Sequence, residues 1–575
     1  MESNAFLKAT RAKWAVVRSD DRLLLIALAG FVGAFSGLAA VALNRGLHFM
    51  GEVFQDVHHH WWGFLLPAAG ASLAAVILSI VLKERAGHGV PEVIYAVSRH
   101  GGLLRMRSSF SRLLASCLTI GTGGSAGPEA PVVISGAALG SNIARFFSLK
   151  ERQRIILVGC GAAGAISSIF NAPITGLVFT VEVILGEWRA SNIIPIAIAA
   201  VAGTEVSRAL QGNQIAFEHQ QFVIHWTDTV ASLGIVVFAT AASLILSYLL
   251  RSMHQVAGRT RWPRWLRPAI GGAAVGLIGI FLPLVLGEGY QSIQEMIRGT
   301  FTQGLALAAL VLAAKIAATS LTLGWGGAGG IFAPSLMIGS LVGVLYYRLL
   351  TGFIPAGALT NEGCFALLGM AGMVSGILQA PLTAIFLVVE ITGGYDVILP
   401  LILVSALTST SCYYIESGSY YLRDLIEQGQ YLRPGTDARV LSDMTVAELV
   451  DSGDKPVPGD MLLSDFVRIL EHSRRYLFPV EDRTTGDYLG IVFVDRIRPY
   501  LFDTHMHAVI MLEQVMDDSV PVVRLDDELV DVLYRMESDG LSALPVVEDG
   551  RFVGMLSKAT LLDHYRKELI VQTGV

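Results

Sequence analysis

The 575-residue chain is 53% hydrophobic and 16% charged, with a mean hydropathy of +0.56. That balance excludes an ordinary water-soluble globular protein and implies burial in a bilayer. A net charge of −6 without a basic tract offers no phosphate-tracking surface, which sets nucleic-acid binding aside.

The start is basic, with Lys8, Arg11, Lys13, Arg18 and Arg22, and leads into an apolar run at 23–45 without a cleavage pattern. That flank predicts a cytoplasmic N-terminal segment, 1–22. A second run, 63–82, ends at Lys83 and Arg85 and fits a return to the same side. Between the two, His58, His59, His60, Trp61 and Trp62 read as an interfacial anchor rather than a metal cluster. Further runs at 227–250, 268–287 and 303–323 are also long enough to cross ~30 Å of hydrocarbon. Shorter pieces near 131–147, 153–169, 173–186, 331–350 and 381–391 are interrupted by Gly, Pro or Asn. Irregular backbone at membrane depth is tolerated only inside protein or along a cavity, so these pieces are expected to surround something polar. The four cysteines, Cys117, Cys160, Cys364 and Cys412, lie in apolar stretches without CxxC spacing and read as packing residues. Charges are sparse from about 110 to 420 and crowd the segment from about 423 onward, which predicts a tail in water.

Two stretches echo each other. Gly121, Gly123, Gly124, Gly127, Ala130, Pro131, Gly136 and Gly140 recur 203 residues later as Gly324, Gly326, Gly327, Gly330, Ala333, Pro334, Gly339 and Gly343. Gly161, Ala163, Gly164, Ser167, Ala172, Pro173, Thr175 and Glu182 recur 208 residues later as Gly369, Ala371, Gly372, Ser375, Ala380, Pro381, Thr383 and Glu390. A duplicated apolar unit broken by Gly and Pro at matching places predicts discontinuous helices and an ion site near mid-membrane.

A dehydrated anion there needs hydrogen-bond donors and positive potential, but a full positive charge would hold it too tightly to release. Helix N-termini supply unpaired N–H groups and a partial positive charge, Gly allows close approach, and Pro is at home in a first helical turn. Three turns fit: Gly87-His88-Gly89-Val90-Pro91, Gly127-Pro128-Glu129-Ala130-Pro131 and Gly330-Ile331-Phe332-Ala333-Pro334.

In order and separation these turns resemble the signature segments of the CLC chloride channel and transporter family, usually written GSGIP, G(K/R)EGP and GxFxP. The resemblance spans nearly the whole membrane region and implies an all-α membrane protein, a CLC-type inverted-repeat bundle of broken helices over 23–430, with repeats at about 63–210 and 268–421. It implies anion contacts from Gly87, His88, Gly89, Val90, Gly330, Ile331 and Phe332, and from a tyrosine hydroxyl in Ser419-Tyr420-Tyr421, where register favours Tyr421. It gives Glu129 the gating and proton-coupling role: ionised, the carboxylate competes with the anion for the same amides, and protonated or displaced it leaves them. A plain helix-capping role for Glu129 is the alternative.

Several residues depart from the pattern. His88 replaces the signature serine and puts anion preference and pH sensitivity in question. Pro128 and Ala130 replace a basic residue and a glycine, which stiffens the turn and removes a charge. Val183 stands where the family's proton-coupled exchangers often carry an inner glutamate, and a valine cannot relay protons. The neighbouring Glu182 and its mate Glu390 read as structural carboxylates. Channel and proton-coupled exchanger both remain open, with transport of another ion as the alternative function.

After a linker at 431–442, Phe478-Pro479-Val480-Glu481-Asp482 leading to Leu489–Val492 recurs as Leu544-Pro545-Val546-Val547-Glu548-Asp549 leading to Val553–Leu556. Each reads as a β-hairpin beside an amphipathic helix, Leu462–Leu470 or Leu529–Met536. This resembles a tandem pair of CBS domains, at 443–510 and 511–575, and implies a cytosolic α/β unit. Of the ribose-binding pattern G-h-h-(S/T)-x-x-D, Gly554 to Ser557 matches the start while Thr560 replaces the Asp; in the first copy Phe493 and Arg496 replace both polar positions. Ser557 is thus the one candidate contact for an adenine nucleotide, and otherwise no cofactor is expected. An HExxH metalloprotease site and a dinucleotide loop are missing, and converging carboxylates for a magnesium path are nearly so, the core offering Glu129, Glu182, Glu187 and Glu390. Neither a catalytic constellation nor a metal site is expected. The partners implied are chloride or a similar anion, the bilayer, and a second copy in a homodimer; the location implied is multi-pass in a prokaryotic inner membrane, with both termini cytoplasmic.

Overall fold

In a bilayer a backbone group has no water to bond, so each apolar segment must close its own helical ladder. The computed structural model describes residues 21–58, 62–84, 89–213, 217, 220–355, 358–428, 430–431, 441, 444–473, 475–503 and 505–573. The chain divides into two units, Met1–Tyr431 and Leu432–Val575.

The first unit is helical among its described residues. In chain order its helices are α1 (Asp21–His58), α2 (Leu66–Val76), α3 (Val90–Arg99), α4 (Ser108–Gly121), α5 (Glu129–Phe146), α6 (Glu151–Phe170), α7 (Pro173–Phe179) and α8 (Ala190–Gln211). There follow α9 (Trp226–Arg259), α10 (Arg267–Phe281), α11 (Tyr290–Arg298), α12 (Leu305–Gly324), α13 (Phe332–Leu350), α14 (Glu362–Leu378), α15 (Pro381–Thr392), α16 (Ile398–Ile415) and α17 (Tyr420–Glu427). Eight helices among the described residues are long and apolar enough to cross a membrane.

The duplication is physical. Equivalent helices end at the same register: α4 at Gly121 and α12 at Gly324, α6 at Phe170 and α14 at Leu378, while α7 begins at Pro173 and α15 at Pro381. The turn residues Asn171 and Gln379, 208 apart, both take the left-handed conformation, with φ of 54° and 51°. The α5–α6 and α13–α14 crossings are equally close. A Cβ on Gly136 would overlap the Gly161 carbonyl, and one on Gly339 would overlap the Gly369 carbonyl, so glycine is required at both crossings. Small residues let membrane helices approach where no hydrophobic force drives them together.

Two sequence expectations need correction. The apolar run 268–287 is no single span: α10 stops at Phe281, and Pro283 opens a short 3₁₀ turn to Val285. Residues 153–169 and 331–350 are no fragments but lie in helices of 20 and 19 residues, because interior glycines thin their hydropathy without breaking them. His59, His60, Trp61, Gly87 and His88, and the side chain of His58, lie outside the described residues.

In the second unit, β1 (Val457–Pro458) pairs in parallel with β2 (Leu477–Glu481), which pairs antiparallel with β3 (Tyr488–Phe493). The pattern recurs as β4 (Ala543–Glu548) with β5 (Arg551–Ser557), and a parallel bridge from Val523 to Val546 replaces the first strand. Each hairpin packs an amphipathic helix, Leu463–His472 or Leu529–Ser538, in its own core.

Candidate functional site

Thr119 and its mate Thr322, 203 residues apart, prepare the site. The Ser125 amide donates to Thr322 Oγ1 at 3.1 Å, and the Ala328 amide donates to Thr119 Oγ1 at 3.3 Å. Each repeat's hydroxyl therefore holds the other's glycine turn. One step on, Gly127 and Gly330 exchange both backbone hydrogen bonds, N to O, at 2.8 and 2.7 Å. This reciprocal pair fixes the starts of α5 and α13 against each other.

The first turn joins them. Gly89, at φ +79°, lies against Ala130, where a Cβ would come within 2.7 Å of the Ala130 carbonyl oxygen. Val90 is buried, and α3 packs on both α5 and α17. The N-cap residues Gly89, Pro128 and Ile331 make no side-chain cap, so their own side chains leave the first amides of those helices open to another acceptor. Such amides at several converging helix starts are an anion site in waiting.

Glu129 stands where they meet. It is 2% exposed, and its Oε1 accepts a hydrogen bond from the Tyr290 hydroxyl at 2.8 Å. Its Oε2 is buried without a hydrogen-bond partner among the described residues. The carboxylate folds back over its own turn, so that a Cβ on Gly127 would collide with Oε2 and one on Gly330 would sit 3.4 Å from it. Besides Tyr290, the carboxylate draws on its own amide and on the Ala333 amide of the other repeat, so it sits across both paired helix starts rather than capping its own alone.

Tyr421 is buried at the start of α17 and lies within Coulomb reach of Glu129. Phe332 is buried at the start of α13, with its ring against Phe170 and Phe179 at 5.4 and 6.2 Å between centroids. Of the anion contacts expected from sequence, Gly89, Val90, Gly330, Ile331 and Phe332 lie on these turns. Gly87 and His88 are outside the described residues, so the geometry speaks to neither.

Glu182 and Glu390 are structural in a reciprocal way. Glu182 accepts from the Leu382 and Thr383 amides and the Thr383 hydroxyl, at 3.1, 2.7 and 2.6 Å. Glu390 accepts from the Ile174 and Thr175 amides and the Thr175 hydroxyl, at 2.9, 2.6 and 2.6 Å. Each repeat's acid caps the other repeat's proline-started helix, where an anion is favoured. Beside Glu182, Val183 lines a cavity of about 420 Å³ with Gln379, Ser409 and Tyr413.

Sequence reasoning missed Tyr290, the half-buried Glu288 and the buried Lys315. Gly287-Glu288-Gly289-Tyr290 carried a signal, since glycines flank a charge at the end of an apolar run, and Lys315 is a lone cation inside one. In the second unit the Ser557 hydroxyl is already engaged, with Thr560 Oγ1 at 2.9 Å and the Thr560 amide at 3.1 Å. Among the described residues no group of three or more His, Cys, Asp or Glu could hold a metal.

Broken helices in two reciprocal repeats, with helix starts gathered on one buried carboxylate, define a membrane ion-transport fold. The voltage gated chloride channel profile matches residues 70–412, and a CBS domain profile matches residues 512–567. The chain belongs to the voltage gated chloride channel family. It is 31% identical over 417 residues to a ClcB-like protein of Ralstonia nicotianae, covering 70% of this chain and 96% of that one. It is 28% identical over 419 residues to the H(+)/Cl(-) exchange transporter ClcA of Cronobacter sakazakii, covering 69% and 88%. A solved eukaryotic CLC transporter shares the fold, with a TM-score of 0.62 at 19% identity, over 93% of this chain and 97% of that one.

Proposed function

We propose that the protein moves chloride across a membrane along a path past the starts of α3, α5 and α13, with Glu129 as its gate. The observation that carries this is the buried Glu129 carboxylate, held by the Tyr290 hydroxyl on Oε1 and folded back over the paired starts of α5 and α13 at Gly127 and Gly330. The ionised carboxylate takes the place of the anion at those amides; protonated, it leaves them without electrostatic loss. The names of the relatives, a ClcB-like protein and an H(+)/Cl(-) exchange transporter, support the same substrate. Gly89, Val90, Gly330, Ile331, Phe332 and Tyr421 are assigned to the anion path, together with Gly87 and His88 from the sequence.

The basic residues ahead of α1 favour a cytoplasmic N-terminus by the positive-inside tendency. A homodimer with one path per subunit is part of the same reading. The test is chloride flux and reversal potential in liposomes under crossed chloride and proton gradients. A potential displaced from the chloride equilibrium value by the pH gradient defines an exchanger, and one that follows chloride alone defines a channel. No anion movement at any pH refutes the proposal.

A further inference from the structure

Arg112 on α4 and Lys315 on α12 hold equivalent positions, 203 residues apart, and are 5% and 0% exposed. A cation on a membrane helix demands a partner. Arg112 has carboxylates: Nη2 meets Glu92 Oε1 at 2.6 Å, and Nε lies 4.0 Å from Glu84 Oε2. Lys315 is satisfied differently. Its Nζ donates to the carbonyl oxygens of Val285 at 3.0 Å and Gly287 at 2.8 Å. Gly287 directly precedes Glu288, whose Oε1 is buried without a hydrogen-bond partner among the described residues. The Gly287 amide donates to Gly123 O at 3.3 Å, tying this loop to the glycine turn of the first repeat. Tyr290, two residues on, begins α11 and holds Glu129. One loop thus carries a carboxylate with a free buried oxygen, a buried cation's anchor and the hydroxyl that seats the gate.

We propose that Glu288 is a second proton-binding carboxylate of the gate, anchored through its loop by Lys315, and that the charge on Glu288 decides how readily Glu129 takes a proton. This rests on reading Glu129 as the gate. The charged and titratable groups within electrostatic reach of Glu288 are Glu129 on α5, Tyr290 on α11 and Lys315 on α12. Two like charges in a site shielded from water do not both persist, so an ionised Glu288 favours the proton on Glu129 and frees that residue from the amides. A proton on Glu288 instead leaves Glu129 ionised and seated. Lys315 offsets part of the repulsion. The proton passes only between carboxylate oxygens and water, and no other bond changes.

The experiment is chloride flux from liposomes holding the full chain, followed from about pH 4 to about pH 9, a range that brackets normal and raised carboxylates. Wild type, E288Q, E129Q and the double variant are compared. Loss of a like charge at an effective dielectric of ~20 is expected to lower the midpoint of the E288Q profile by about one pH unit, tenfold in proton concentration. In the E129Q background E288Q is expected to change nothing. Where E288Q does not fold, Glu288→Asp, which withdraws the charge by one methylene, is expected to give a smaller shift whose sign matches. An unmoved midpoint, a flat wild-type profile, or a shift that persists without the Glu129 carboxylate overturns the inference. Wild-type flux with an unmoved midpoint sinks this inference alone, whereas absent wild-type flux sinks the transport reading beneath it.

Discussion

The two repeats of the membrane unit agree where they support each other and differ where an ion would pass. Thr119 and Thr322, Gly127 and Gly330, and Glu182 and Glu390 do the same thing in both directions across the pseudo-twofold relation. At the first residue of the paired helices α5 and α13 the symmetry breaks: Glu129 in one repeat, Phe332 in the other. A duplicated scaffold needs matched contacts to close. At these two facing helix starts one carboxylate suffices, since a second placed opposite would repel it and one of the two would stay neutral.

The sharpest way to break this comparison is to remove the odd residue on the first side. Glu129→Ala takes away the carboxylate proposed as the gate. Liposome flux is expected to lose its pH dependence, and proton movement coupled to chloride to fall to background. Detergent thermal melts are expected to change little, since losing its hydrogen bonds is offset by no longer burying a carboxylate. Flux that keeps its wild-type pH profile would show that the carboxylate only caps a helix.

Its counterpart should behave oppositely. Phe332 is buried between Phe170 and Phe179, so Phe332→Ala empties a packed ring site and is expected to cost about 3–5 kcal/mol of stability. The matched pair gives the control. Glu182→Ala and Glu390→Ala each remove bonds from two amides and a hydroxyl at a helix start. Each is expected to cost about 1.5–3 kcal/mol, the scale for hydrogen bonds to a charged group, and the two values are expected to agree closely. A large difference between them would mean that the reciprocal caps are unequal despite their geometry.

Much of this scaffold was legible in the sequence because it rests on residues with narrow backbone roles. Glycine at a helix crossing, proline in a first helical turn and a small left-handed turn residue cannot be exchanged freely, so their spacing survives duplication as a readable echo. The echo pairs Glu182 with Glu390, and buried acids usually have fixed partners, though nothing in the sequence shows that each acid serves the opposite repeat. Tyr290 was not legible. Its hydroxyl reaches Glu129 across 161 residues from a loop outside the signature turns, and such contacts leave no periodic trace. Lys315 was visible as a cation within an apolar run, yet its partners, the Val285 and Gly287 carbonyls, are backbone atoms that side-chain patterns do not report. Interior glycines in α6 and α13 look like interruptions in a sequence, whereas in a membrane helix they mark tight packing.

Tyr290 supplies the next test, a smaller one. Tyr290→Phe keeps the ring and removes the donor to Glu129 Oε1, a bond to a charged group worth about 1.5–3 kcal/mol, or roughly tenfold or more in equilibrium. The ionised gate is then less firmly seated, so chloride flux is expected to rise and its pH midpoint to move upward. A midpoint that falls, or flux unchanged at every pH, would remove Tyr290 from the gate.

The smallest expected effect lies in the second unit. Asp517 accepts from the Ser519 hydroxyl at 2.6 Å and meets Arg496 Nη1 at 2.5 Å, while the Arg496 guanidinium lies over the Phe493 ring. The Ser519 bond first, and Arg496 after it, hold the Asp517 carboxyl below the ordinary carboxylate range. Because the folded value is depressed, the ionised acid stabilises the fold above the unfolded value of about 3.9, and that contribution disappears as pH falls through the folded value. Asp517→Asn is therefore expected to lower stability slightly at neutral pH and hardly at all in strong acid. Solvent screening keeps the difference below about 1 kcal/mol. Urea unfolding of the full chain, followed by a probe in the second unit at pH 7 and near pH 3, measures it. An equal loss at both pH values would assign the effect to packing instead of charge, and with it the Arg496–Asp517 contact to shape alone.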